Sequence, residues 1–104
     1  MHQGQTPNRR RKVAAEPQRE RLITRIREAL LLLGGEAHRR DVIVQLAKEQ
    51  GMDWRNIPED LESAVIQSFE ETWRDESRRA AYGFHLKFGE GSHRWGVRIP
   101  ELAH

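Results

Sequence analysis

The chain has 104 residues, 18 Lys+Arg against 16 Asp+Glu and 37% hydrophobic residues, a balance that fits one small domain with a polar flank and excludes a multidomain enzyme. The longest aliphatic stretch is Ala29 to Leu33, which excludes a membrane span, and Met1 to Gln18 holds only Val13-Ala14-Ala15 where a signal peptide needs an apolar core, so a soluble cytosolic protein is expected. The absence of cysteine removes disulfides, thiolate zinc sites and a Cys nucleophile together, leaving the hydrophobic core as the source of stability.

Charge is distributed unevenly: residues 1–21 carry six Lys/Arg against two acids, and residues 51–79 carry four against eight. Residues 1–18, with Pro7, Pro17 and the run Arg9-Arg10-Arg11-Lys12, lack the apolar side chains that offset ordering entropy and predict a disordered basic arm. From Arg19 the pattern becomes helical, with Leu22, Ile23, Ile26, Ala29, Leu30 and Leu33 on one arc and Gly34-Gly35 as the stop. Leu31 and Leu32 fall outside that arc, either under a loop or in a dimer seam.

A short link at Glu36-Ala37 predicts a small β-bridge. A second helix then opens at His38-Arg39-Arg40-Asp41, buries Val42, Ile43, Leu46 and Ala47, and stops at Gly51 as a left-handed C′ residue. Pro58 suits the first position of a third helix, whose first turn is acidic and whose core stripe is Leu61, Val65, Phe69 and Trp73. Alternation then replaces the helical period: Tyr82, Phe84, Leu86 and Phe88, a Gly89-Glu90-Gly91-Ser92 turn, then His93, Trp95, Val97 and Ile99. The expected hairpin pairs Phe88 with His93, Leu86 with Trp95, Phe84 with Val97 and Tyr82 with Ile99, and Pro100 ends it. The domain is thus expected over residues 19–100, with 101–104 as a tail.

Three helices, an extended segment between the first two and a terminal hairpin give an α+β fold in the order of a winged helix-turn-helix. The segments Leu30-Leu31-Leu32-Leu33-Gly34-Gly35-Glu36-Ala37-His38-Arg39-Arg40-Asp41-Val42 and Gly89-Glu90-Gly91-Ser92-His93-Arg94-Trp95-Gly96-Val97-Arg98 resemble the N-terminal winged-helix module of Mrr-type restriction endonucleases and the related HARE-HTH modules. The resemblance covers about residues 20–99. It implies a module that touches DNA, of the kind found beside nuclease or chromatin domains, and by analogy a prokaryotic accessory or transcription-regulatory setting.

Candidate DNA contacts are Arg9, Arg10, Arg11 and Lys12 in the arm, Arg39 and Arg40 at the second helix, and Lys87, Arg94 and Arg98 on the hairpin, with His85 alongside and Gly83 and Gly96 clearing space. The arm either tracks the phosphate backbone or is a solubilising or vector-derived tail. The hairpin cations either lie against phosphates or guard an edge against aggregation. The third helix departs from a major-groove reader, because its outer face carries Glu59, Asp60, Glu70 and Glu71 against Arg74. The alternative is therefore a protein-interaction module that docks a basic partner on Glu59, Asp60, Glu70 and Glu71 and a second copy on Leu31 and Leu32.

His38 fits a helix cap or packing role better than a ligand, and Trp54, Trp73 and Trp95 are expected in the core. No Ser, His and Asp stand in triad or nucleophile-elbow context and the five histidines show no ligand spacing, so no enzyme activity, metal, cofactor or small-molecule substrate is expected.

Overall fold

The computed structural model describes the backbone of residues 5–98 and the side chains of residues 18–98. The elements run α1 (Gln5–Leu32), β1 (Glu36–His38), α2 (Arg39–Glu49), α3 (Glu59–Arg74), α4 (Glu76–Tyr82), β2 (Phe84–Leu86) and β3 (Arg94–Val97). The result is an α+β fold of four helices and a three-stranded antiparallel sheet in the order β1-β3-β2.

The predicted stripe of α1 is realised as far as Leu30: Ile23, Ile26, Ala29 and Leu30 are buried and Leu22 packs partly against them, whereas Leu33 lies past the helix end and is exposed. The helix begins at Gln5, so the backbone of residues 5–18 is helical rather than irregular, which suits a segment rich in Arg, Lys, Ala, Glu and Gln. At the other end the Gly35 N–H reaches the Leu30 carbonyl at 2.7 Å and the Gly34 N–H reaches Leu31 at 3.1 Å. This reciprocal closure needs a left-handed residue at Gly34, where φ is 96°. The Gly35 carbonyl then accepts from the Val97 N–H at 2.8 Å and ties the helix end to the sheet.

The expected bridge after Gly35 is a three-residue strand, and α2 follows it directly. His38 caps α2, its Nδ1 accepting the Arg40 N–H at 3.0 Å, while Val42, Ile43, Leu46 and Ala47 face the core and Gly51 is left-handed as expected. Pro58 is the N-cap of α3 rather than its first helical residue, with ψ at 139°. Val65 and Phe69 are fully buried, whereas Leu61 and Trp73, at the ends of the predicted stripe, are only partly covered.

One helix was not foreseen. Asp75 ends α3 and caps α4, its Oδ1 accepting from the Ser77 and Arg78 N–H groups at 3.1 and 3.2 Å. Tyr82 is consequently the last residue of a helix and not a strand residue paired with Ile99, which itself lies outside the described residues together with the 101–104 tail. α4 buries no residue of its own and is clamped to α1 instead. Arg78 Nη2 and the Tyr82 hydroxyl donate to the two oxygens of Glu20, and Arg27 Nε donates to the Tyr82 carbonyl at 3.1 Å. The Tyr82 hydrogen bond, followed by that of Arg78, holds the Glu20 carboxyl below its ordinary range, and the same bond pushes the Tyr82 hydroxyl above its own.

The hairpin register is the expected one where it is paired, with Phe84 opposite Val97 and Leu86 opposite Trp95. Its strands are shorter than the alternation suggests, ending at Leu86 and resuming at Arg94, so Phe88 belongs to the loop and is 75% exposed. Inside, Trp95 stacks on Phe69 with ring centroids 4.0 Å apart, and Phe84 packs 4.7 Å from Phe69. These rings fasten the sheet to α3 and fix which face of the hairpin is left to solvent.

Candidate nucleic-acid interface

Because side chains alternate along strands, burial of Trp95 and Val97 turns Arg94 and Gly96 outward, with His85 and Lys87 opposite them. The Lys87 N–H donates to the Arg94 carbonyl at 3.2 Å, continuing the register one step beyond the strands. The expected juxtaposition of Lys87 and Arg94 is therefore present, and β1 supplies the anion between them. Glu36 lies 3.5 Å through Oε2 from Lys87 Nζ and 3.7 Å through Oε1 from Arg94 Nε. All three side chains are partly exposed, so these are contacts that solvent and salt weaken readily.

The α2 start is fixed to the same end of the sheet, the Arg39 N–H donating to the His93 carbonyl at 2.7 Å and the His38 and His93 rings meeting edge-on at 5.8 Å. Arg39 and Arg40 turn toward α3, 4.0 Å from Glu70 and 3.9 Å from Glu62. Arg74 also approaches Glu70, at 3.8 Å, and Arg19 approaches Glu71 at 3.5 Å. The acidic face of α3 is thus partly neutralised from within, while Glu59 and Asp60 at its start stay exposed without an ion-pair partner among the described residues.

Other expected positions shift. Arg98 lies past the end of β3, where its N–H donates to the Gly83 carbonyl at 2.8 Å, and it lines a shallow depression with Arg79 and His85. Gly96 does clear space, but the His85 ring fills it: a Cβ at Gly96 would fall inside the imidazole. Gly83 serves as the left-handed cap of α4, with φ at 76°. Leu31 packs partly against the core, whereas Leu32 is 70% exposed. The side chains of Arg9, Arg10, Arg11 and Lys12 lie outside the described ones.

Two exposed aromatic rings escaped the sequence reading. Phe88 sits in the hairpin loop beside Lys87, and Trp54, expected in the core, is 43% exposed between α2 and α3. The glycine-rich turn after Phe88 and the Gly51–Pro58 link around Trp54 are the signals that place both in loops. Among the described residues no group of three or more His, Asp or Glu side chains gathers as a metal site, and no helix is long and apolar enough to cross a membrane. Comparison of the chain with protein-family models, with curated proteins and with solved structures finds no match.

Proposed function

We propose that this chain is a winged-helix binding module, not an enzyme, that holds duplex DNA through its hairpin wing and its basic N-terminal segment. The observation that carries the reading is the outer face of the hairpin, where Lys87 and Arg94 stand opposite each other and Phe88, next to Lys87 in the chain, is exposed. Paired cations beside an apolar tip suit a loop laid along a minor groove, the cations against phosphates and the ring against the groove wall. The order α1-β1-α2-α3 followed by a hairpin whose second strand sits between β1 and β2 is compatible with a winged helix, with α4 as an added helix, and supports this reading.

The ion pairs of Lys87, Arg94, Arg39 and Arg40 span 3.5 to 4.0 Å between partly exposed groups, and phosphate oxygens can take the place of the carboxylates. With its acidic face, α3 does not read bases, so recognition rests on backbone and groove shape with modest sequence selectivity. A second reading is docking of a basic protein on α3, where Glu59 and Asp60 are exposed without an ion pair among the described residues. Charge reversal separates the readings in a titration of labelled duplex with the full chain. Lys87→Glu with Arg94→Glu is expected to weaken binding strongly, and Glu59→Lys with Asp60→Lys not to weaken it. Unchanged binding by the wing variant overturns the proposal.

A further inference from the structure

Trp54 carries a large flat ring at a position where 43% of its surface meets solvent. Two cations flank it: the Arg55 guanidinium carbon is 4.9 Å from the ring centroid and Lys48 Nζ, from the last turn of α2, is 5.7 Å away. Asp53 shapes the loop, its Oδ1 accepting the Arg55 N–H and its carbonyl accepting the Asn56 N–H, both at 3.0 Å. Gln50, between Lys48 and Trp54 in the chain, lines a separate depression with Arg21, Leu22 and Arg25 of α1.

The cations here differ from those of the wing. Among the described residues none of Arg21, Arg25, Lys48 and Arg55 forms an ion pair, whereas Lys87, Arg94, Arg39 and Arg40 all do. Two acids stand beside Lys48 and Arg55 in the chain and form an ion pair with neither, Glu49 accepting from the Gln45 amide at 3.1 Å and Asp53 from the Arg55 N–H at 3.0 Å. Lys48 and Arg55, without ion-pair partners among the described residues, thus lie over an exposed indole.

We infer that this face binds single-stranded nucleic acid, a base stacking on Trp54 while Lys48 and Arg55 swing from the ring to the flanking phosphates. Unpaired bases supply the π-face that an indole accepts regardless of sequence, and the sugar-phosphate chain supplies the charge. In a duplex the base faces are already stacked, and an acidic peptide would use the cations without needing the ring. The inference does not depend on the wing reading, since it concerns other residues and another form of nucleic acid.

The test titrates a labelled oligothymidylate of about 12 nucleotides with the full chain, following anisotropy and intrinsic tryptophan fluorescence. Salt-sensitive binding with quenching is expected. Trp54→Ala should lose about tenfold in affinity. Trp54→Phe should keep most of the affinity but lose the quenching, because Trp95 is buried and Trp73 lies under Arg79. Lys48→Glu with Arg55→Glu should abolish binding, and the wing variant Lys87→Glu with Arg94→Glu should bind as the unaltered protein does. Absence of binding at low salt overturns the inference. So does equal affinity in Trp54→Ala, or polyglutamate of the same charge binding as tightly as the oligonucleotide.

Discussion

The imidazole of His85 occupies the space that Gly96 leaves on the outer face of the central strand. A glycine in a strand gives up packing and conformational entropy, and here it makes room for a ring laid across the sheet. Gly96→Ala is expected to destabilise the fold by about 1 to 3 kcal/mol, because the imidazole must leave and the site is buried. In a His85→Ala background the same change should cost much less, and urea melts of the four proteins measure that difference. Equal costs in both backgrounds would mean that the ring does not occupy the space. The Trp-Gly-Val run made Gly96 conspicuous in sequence, but the neighbour it accommodates sits across a strand pair, and only the register reveals it.

The helices whose apolar residues recur with a clear period were legible, down to the buried positions of α1 and α2, because burial on one face leaves that period in the sequence. α4 was not, since Tyr82 alone of its apolar residues packs on the core and makes no stripe, and only its terminal signals, Asp75 and Gly83, mark it. Its attachment depends on the Glu20 carboxylate meeting Arg78 and Tyr82, which stand 58 and 62 residues further along the chain. The folded state holds Glu20 below the ordinary carboxylate range, so the stability it contributes is present above that range and is lost as pH falls through the lowered value. For Tyr82 the sign is opposite: its contribution is present below the ordinary tyrosine value and fades as pH rises through the raised one. Glu20→Gln should therefore be less stable than the unaltered protein at neutral pH, with the gap closing on acidification. A gap that persists unchanged to low pH would show that the charge on Glu20 does not hold α4.

Over the whole molecule, counts of charge in sequence anticipated a basic start and an acidic middle but not how the fold sets them against each other. Arg39 and Glu70 are 31 residues apart and Glu36 and Lys87 are 51 apart, and only folding brings each pair within 4.0 Å. Arg39 and Arg40 at the start of α2 and Lys87 and Arg94 on the hairpin are thereby held by carboxylates, whereas Lys48 and Arg55 over Trp54 form no ion pair among the described residues. Glu36 is the sharpest instance, a single carboxylate shared by both wing cations. If duplex DNA takes its place, Glu36→Gln should tighten binding several-fold and steepen its dependence on salt, while Glu90→Gln in the wing loop should have a smaller effect. Equal effects of the two would reduce Glu36 to one negative charge among several.

The most direct measurement is the affinity of the full chain for a labelled duplex of about 20 base pairs as salt is raised, with Lys87→Glu and Arg94→Glu combined as the comparison. Binding through the wing predicts a steep linear fall of log affinity with log salt. The slope should be shallower by about 2 when both cations are reversed, because each neutralised phosphate accounts for about 0.9 of it. No binding at low salt, or a slope the double variant leaves unchanged, would contradict the wing as the surface that holds DNA.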